Sequence, residues 1–488
     1  MAILLIWAKI LMLPKLGRVI ILITTFGCTV GPDYHAPTTN APGSWQAEKI
    51  ANPTLTTSDP QHLQNWWLRF NDVPLNSLMT QVLAGNLDLK IALTRIDQAR
   101  AERRGTQAEL FPSVNIKAGA QRQDNPLPAL APGIRYNMFE LGFDALWEID
   151  LFGRQQRRLE AASADLEGAD ASYRQALITL SAELARSYVG YRSAQNQLRI
   201  TASNLQTQQA TLSLTEKLFA EGVVARHEVV RSRALTETTM AQIPALEAQL
   251  TGLLRQLELL IGQHPGSLTH ELSPLGTVPQ AASAEVLASP AATLRNRPDI
   301  HIAERQLAAA TALQGAAVAE LFPKISLSAF LGLRSTDLES LFKSAAFSYG
   351  TAANLLQPLL NFGRIRAGIA LADARQQEAF LSYEKTVLEA LRETETVLSR
   401  YLNEEQRRQL LASSTLDLRE SVRLSELRYQ EGVISFLDVL DSQRSLYGAE
   451  IELARSEADT ATHLIAVYKA LGGGPENSSM QSQNSEEP

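Results

Sequence analysis

The pentapeptide Ala-Glu-Leu-Phe-Pro occurs twice, at Ala108–Pro112 and at Ala319–Pro323. The flanks repeat with it. Asn86–Ala92 lies over Arg297–Ala303 at the same spacing of 211 positions. Downstream the spacing drops to 210 and holds. Leu151-Phe-Gly-Arg154 lies over Asn361-Phe-Gly-Arg364, Phe219–Val223 over Tyr429–Val433, and Ile261-Gly262 over Leu471-Gly472. Two long copies do not make a solenoid, which stacks many short ones. They make one structural unit used twice, so an element in one half predicts a partner in the other.

Each half changes its hydrophobic period in the same order. A period of 3.6 runs from Leu75 to Glu109 and stops at Phe111-Pro112, because the residue before proline avoids the helical region. A period of two follows. Val114, Ile116, Ala118 and Ala120 face one way; after a proline-bearing loop at 124–133, so do Phe139, Leu141, Phe143, Ala145 and Trp147. These are two strands of about ten residues. The second half offers Ile325–Leu333 and a weaker run at Phe347–Leu355.

Helix then returns without a proline from Arg154 to Phe219, on the order of 100 Å at 1.5 Å per residue. Leu177, Leu184, Tyr191, Leu198, Leu205, Leu212 and Phe219 recur every seventh position, the seam of a left-handed coiled coil. Gly222 ends it, and a second helix returns over 227–261. The other copy runs Arg364–Tyr429, turns at Gly432 and returns over 436–471.

The divisions expected are a leader at 1–27, an extended segment at 28–74 and a first copy at 75–262. The first copy holds a β-hairpin at 113–149 and a helical hairpin at 154–261. A linker at 263–289 leads to a second copy at 290–472, with its β-hairpin at 324–356 and helical hairpin at 364–471. A disordered tail at 473–488 follows. Trp45, Trp66 and Trp67 are expected to pack onto the body.

The lone cysteine, Cys28, can form no intrachain disulfide. Lys15 and Arg18 precede an apolar run at 19–26, then Gly27-Cys28, the layout of a secretory signal. Met12 is a second candidate start. The cysteine after such a run resembles a bacterial lipobox, with Gly27 in pattern and Thr25 where leucine is usual. Thr29, not aspartate, follows it, so nothing retains the protein at the inner membrane. Acyl chains on Cys28 would anchor firmly at ~0.8 kcal/mol per buried methylene. A non-lipidated signal is the alternative. The net charge of −7 carries no basic stripe, which argues against nucleic acid.

The alternating strands fit a sheet with one face in lipid and one in water, or a soluble sheet packed on one face. If they span a membrane, four strands cannot close a barrel, and open edges are not tolerated in hydrocarbon. Three chains would give twelve strands and a lumen. Their helical hairpins would continue the wall as a tube, with the Gln-, Ser- and Ala-rich stretch 195–209 lining the bore.

On these features the chain resembles the TolC-like outer-membrane efflux family, in its lipoprotein branch (OprM/NodT type). The resemblance is carried by Cys28-Thr-Val-Gly-Pro-Asp-Tyr34, the paired Ala-Glu-Leu-Phe-Pro and Phe-Gly-Arg segments, and Tyr429–Val433 followed by Asp438-Val-Leu-Asp441. It implies an α+β membrane protein with an internal two-fold repeat. Its barrel is a trimeric, twelve-stranded one, four strands per chain, continued by a helical barrel in the periplasm of a Gram-negative cell. It implies a passive duct for drugs and toxic small molecules, with a periplasmic adaptor, an inner-membrane pump of the RND type and outer-membrane lipid as partners. A duct for type I protein secretion and a coiled-coil envelope scaffold are the alternatives. Neighbouring genes for an adaptor and a pump would separate these.

No enzyme is indicated. His227-Glu-Val-Val-Arg231 begins like a zinc motif but has arginine at the second ligand position, and no P-loop or nucleophile elbow is present. No cofactor is expected beyond lipid on Cys28. The helix–strand turns are placed at Pro112, Gly153, Pro323 and Gly363. Gly222, Val223, Gly432 and Val433 sit at hairpin tips, which the resemblance makes adaptor-docking sites; helix termination alone also explains the glycines. Asp438 and Asp441 share one face of a helix's first turn. The resemblance makes them a ring narrowing the pore; favourable placement at a helix N-terminus is the alternative. Ile434 stands where the resemblance expects arginine. The first-half counterparts of the two aspartates are Glu228 and Arg231.

Overall fold

The computed structural model describes residues 29–38, 41–49, 63–127, 131–281 and 289–475. The expected signal segment and Cys28 lie outside the described residues, as does 476–488. Two compact units are present, and neither coincides with a sequence half. One draws on the chain up to Thr38, Thr94–Asp170 and Ile302–Glu384; the other draws on Thr39–Leu93, Ala171–His301 and Lys385 onward.

The first half holds α1 (Val73–Gly85), α2 (Leu87–Ala108), β1 (Ser113–Leu127), β2 (Ala131–Ile149), α3 (Arg154–Ala220), α4 (Arg226–Met240) and α5 (Ile243–Leu260). A short α6 (Thr269–Leu272) follows. The second half holds α7 (Pro290–Asn296), α8 (Pro298–Ala319), β3 (Lys324–Ser335), β4 (Phe347–Leu356), α9 (Arg364–Gln430) and α10 (Phe436–Ala470).

Five expectations change. The helix expected from Leu75 to Glu109 is two, because Asn86 is extended and its side chain caps α2 by accepting from Leu89 N at 3.0 Å. The first return helix is also two; Pro244, in the first turn of α5, cannot donate a helical bond, and the chain breaks at Ala241-Gln242. β1 and β2 are 15 and 19 residues long, running into the proline-bearing segment expected as loop. Residues 473–475, expected within the disordered tail, are held in place: Gly473 N donates to Tyr468 O, and Gly474 O accepts from Asn65 N. Trp45, Trp66 and Trp67 are buried as expected, and Trp66 stacks on Tyr468. Gln195 and Gln197, expected to face a bore, are buried within the chain instead; Gln195 Nε2 donates to Leu272 O.

Contacts recur at the spacings read from the sequence. Asn86 Nδ2 donates to Leu260 O, and Arg297 Nη1 donates to Ala470 O. Trp147 Nε1 donates to Leu110 O, and Gln357 Nε2 donates to Leu321 O. Arg103 bonds Ser163, and Gln314 bonds Asp373. Residue types change between copies while the donor-to-acceptor direction persists. Glycines in the left-handed region also pair: Gly153 with Gly363, Gly222 with Gly432, and Gly262 with Gly472.

The four strands form one antiparallel sheet in the order β1-β2-β3-β4. Ser113 lies opposite Leu146, and its counterpart Lys324 lies opposite Leu356, so both hairpins share one register. β2 meets β3 with Gly142 opposite Gly332. The Phe330 ring fills that glycine notch and Arg334 lies 4.0 Å over its centroid. One face carries Val114, Ile116, Phe143, Leu327, Leu331, Phe347, Tyr349 and Leu355, all exposed. The other carries Lys117, Glu140 and Arg334 in an ion-paired row. Among the described strand residues only Phe330 is buried. A soluble sheet hides one face in a core; this one hides neither.

Gly262 and Gly472 end α5 and α10 in Schellman turns, with N–H bonds to Leu259 O and Lys469 O. A Cβ on Gly262 would stand 2.7 Å from Gly85 O, and one on Gly472 3.0 Å from Asn296 O. Gly222 has the same backbone sign with open space around it. Gly222→Ala should therefore cost about 1 kcal/mol, the left-handed penalty alone. Gly262→Ala and Gly472→Ala should cost clearly more. Helical circular dichroism melts of the three variants would test the order.

Candidate functional site

Both ends of the long helices close in the same way. Val223 N donates to Leu218 O and Gly222 N to Phe219 O; Val433 N donates to Arg428 O and Gly432 N to Tyr429 O. These are Schellman turns, which satisfy carbonyls a helix end leaves bare. Val223 and Val433 are 66% and 59% exposed, and Phe219, Val230 and Leu437 add exposed apolar surface at the ends. The α3 seam opens toward this end: Leu177, Leu184 and Tyr191 are buried, Leu198, Leu205 and Leu212 half-buried, and Phe219 exposed.

The two aspartates do different things. Asp438 Oδ2 accepts from Ser435 N at 2.9 Å and Ser435 Oγ at 2.8 Å, which fixes the start of α10. Asp441 lies 3.5 Å from Arg231 and 3.6 Å from Arg444. Arg231 is the first-half counterpart of Asp441, so equivalent positions of opposite charge meet. Position 434 is isoleucine, and the cation beside Asp441 from the other half comes from α4. Both partners are about half exposed, and such a pair is worth about 0–1 kcal/mol.

The strand–helix turns form a second locus. Pro112 and Pro323 immediately precede β1 and β3, and Gly153 and Gly363 immediately precede α3 and α9. Phe152 and Phe322 stack at 4.7 Å. The residues after Cys28 dock here. Val30 N donates to Phe152 O, and a Cβ on Gly153 would stand 2.6 Å from Thr29 Cγ2. Arg157 bonds Val30 O, Gly31 O and, at 2.7 Å, Asp33. That hydrogen bond and the arginine's charge hold the Asp33 carboxyl below its ordinary pKa.

Several working residues escaped the sequence reading. Tyr447 Oη donates to Gln242 Oε1 at 2.7 Å and lies 3.2 Å from Thr201 Oγ1, which clasps the α4–α5 break. Pro244 was the available signal. Glu258 is 1% exposed and accepts from Gly266 N, Leu268 N and Arg255. It therefore ties the expected linker, in which Leu268 and Leu272 are buried, to α5. Burial pushes its carboxyl up, but the Arg255 and backbone N–H bonds outweigh this and leave the pKa lowered. Among the described residues no helix is long and apolar enough to cross a membrane, and no group of three or more His, Cys, Asp and Glu could hold a metal.

The model for outer membrane efflux proteins matches this chain twice, at residues 78–263 and 290–473. The chain belongs to that family. Nodulation protein T of Rhizobium leguminosarum bv. trifolii is 31% identical over 92% of this chain and 95% of its own. The toluene efflux pump outer membrane protein TtgI of Pseudomonas putida is 30% identical over 92% and 96%. The solved outer-membrane channel OprN superposes with a TM-score of 0.86 at 37% identity, covering 92% of this chain and 99% of that one. This efflux protein is therefore an outer-membrane channel component, in a family of channels rather than enzymes.

Two measurements test the site. Asp438→Ala should cost about 1 kcal/mol locally, the usual loss of a cap, seen as faster amide hydrogen exchange over 435–440. Asp441→Asn should leave exchange there nearly unchanged. Glu258→Gln should flatten the acid limb of a stability-versus-pH curve. A carboxyl with a lowered folded pKa stabilises above its unfolded value of about 4.3; that contribution disappears as pH falls through the folded value. Melts between pH 3 and 6 that superpose for wild type and variant would refute the assignment.

Proposed function

We propose that three copies of the chain close one twelve-stranded barrel, with the internal repeat running twice around each chain's share of the wall. The observation that carries this is the sheet: β1 and β4 pair on one side only and the apolar face is bare. Unpaired backbone groups cost several kcal/mol each in hydrocarbon. Twelve strands leave a lumen, whereas eight are filled by side chains. The polar row of Lys117, Glu140 and Arg334 would face that lumen.

The long helices carry the duct into the periplasm. Their exposed tips at Gly222-Val223 and Gly432-Val433 would receive a periplasmic adaptor. Through it an inner-membrane pump of the RND type would load small toxic molecules, as the name of the toluene-efflux relative suggests. Cys28 would carry the lipid. Thr29 sits against Gly153 where β2 gives way to α3, which supports an anchor at the membrane-facing edge of the sheet. Three copies of Asp438 and Asp441 would gather negative charge at the narrow end. The exposed apolar face argues against a coiled-coil scaffold, which has no use for it. A duct for type I protein secretion needs the same wall and is separated by its pump.

The detergent-extracted protein should be a trimer by light scattering; a monodisperse monomer with intact strand signal would refute the assembly. Cys28→Ser should abolish lipid labelling. The double variant Asp438→Asn, Asp441→Asn should weaken cation selectivity and divalent block of the reconstituted channel. If conductance, selectivity and block all stayed at wild-type values, capping alone would account for both aspartates.

A further inference from the structure

Three glycines follow α10, and each is pressed on a neighbour. A Cβ on Gly472 would stand 3.0 Å from Asn296 O, one on Gly473 2.9 Å from Tyr468 O, and one on Gly474 2.8 Å from Ile178 Cγ1. With Gly473 N bonded to Tyr468 O and Gly474 O to Asn65 N, the backbone is led along one path. That path ends at Pro475, on a cavity of about 330 Å³. The lining is apolar at Leu63 and Ile178 and cationic at Arg174 and Arg295, with His301 beside them. Both arginines are exposed, and among the described residues neither has an ion-pair partner. The carboxylates of Asp299 and Glu393 are taken up by Arg297 instead. His301 Nε2 lies 2.9 Å from Arg295 O.

The chain beyond Pro475 has the opposite sign. Residues 476–488, outside the described residues, hold Glu476, Glu486 and Glu487 and no Lys, Arg or His. The repeat isolates this combination. The chain also leaves α5 through a glycine and a proline, Gly262 and Pro265 being the counterparts of Gly472 and Pro475. There the next residues fold back, with Gly266 N and Leu268 N donating to Glu258. Tyr468 stands at the counterpart of Glu258, so the second copy lacks that acceptor. Arg174 and Arg295 have Glu384 and Ala84 as counterparts. The two cations are thus present only in the copy that an acidic segment follows.

We propose that residues 476–488 dock as an anionic strip on Arg174 and Arg295, and so cover a basic patch that would otherwise attract polyanions. Glu476 directly follows Pro475 at the rim. Up to about 33 Å of extended chain, at about 3.3 Å per residue, then allows Glu486 and Glu487 to turn back onto it. A tethered segment meets its site at an effective concentration of about millimolar, so weak pairs suffice. Charge pairs at an exposed surface are individually weak and are screened by salt. The contact is therefore a salt-sensitive cover rather than a permanent lock.

Limited proteolysis of the detergent-extracted full chain with subtilisin, read by intact mass, measures cleavage within 476–488. Arg174→Gln with Arg295→Gln should speed that cleavage about three- to tenfold, as two exposed pairs would give. Glu476→Gln with Glu486→Gln and Glu487→Gln should do the same. Combining both sets should add no further acceleration, the mark of a shared contact. Salt at about 0.5 M should bring the wild type to the same rate. An unchanged rate in either set would overturn the contact. So would accelerations that multiply, since each set would then loosen its own surroundings. A fluorescent polyglutamate peptide tests the other occupant. It should bind the glutamine-tailed variant about threefold or more tighter than the wild type, and should lose binding with the arginine variant. Equal binding to the wild type and the glutamine-tailed variant would assign the patch to an external polyanion and overturn the proposal.

Discussion

Backbone hydrogen bonding at the rim of a small sheet dictates most of this molecule. β1 and β4 each have a paired side and an open one. Their side chains give no core to either face. In water such edges invite uncontrolled pairing; in hydrocarbon each open N–H or C=O is costly. A lone chain has no way to settle this, because its strands are too few to close. Repetition offers a settlement: two copies per chain already build two of the hairpins, and on the trimeric reading further chains would extend the same wall.

The repeat explains what was legible. Spacings of 211 and 210 residues, read from identities such as Ala-Glu-Leu-Phe-Pro and Phe-Gly-Arg, reappear as hydrogen bonds between non-identical residues. Asn86 and Arg297 share no chemistry beyond a side-chain N–H. Yet each reaches the last carbonyls of a return helix, at Leu260 and Ala470. What persists is the geometry to be capped. Strands were legible because alternation survives in both copies. The breaks in α1–α2 and α4–α5 were not, because the apolar period runs on through a cap and a proline. A polar run such as 195–209 is ambiguous in another way. Gln195 satisfies buried carbonyls of the chain itself, and composition alone does not separate that from a wetted surface.

The copies are not interchangeable, and their differences fall where the single N-terminus and the tips require. Only Gly153 receives the segment after Cys28; Gly363 faces open space. Only the first return helix is broken, and Tyr447 of the second copy clasps that break through Gln242 and Thr201. At the tips the equivalent positions 231 and 441 carry opposite charges and meet.

That last pairing is weak compared with the contacts at the other ends of the helices. Away from the tips the return helices finish in buried contacts: Glu258 with three donors, Arg297 with Asp299 and Glu393, and glycines pressed on backbone. Buried charge-assisted bonds are each worth about 1.5–3 kcal/mol, and removing one partner leaves the other stranded. At the tips the Arg231–Asp441 pair is half exposed at 3.5 Å, in the range of about 0–1 kcal/mol. Under the trimeric reading three such pairs hold the end with about 3 kcal/mol at most. Couplings between sites are typically about 1–3 kcal/mol, so a partner bound at the exposed valines can outweigh them. The same energy would not loosen the far ends of the helices. On the proposed reading, opening would be confined to the tips by the difference between buried and wetted charge.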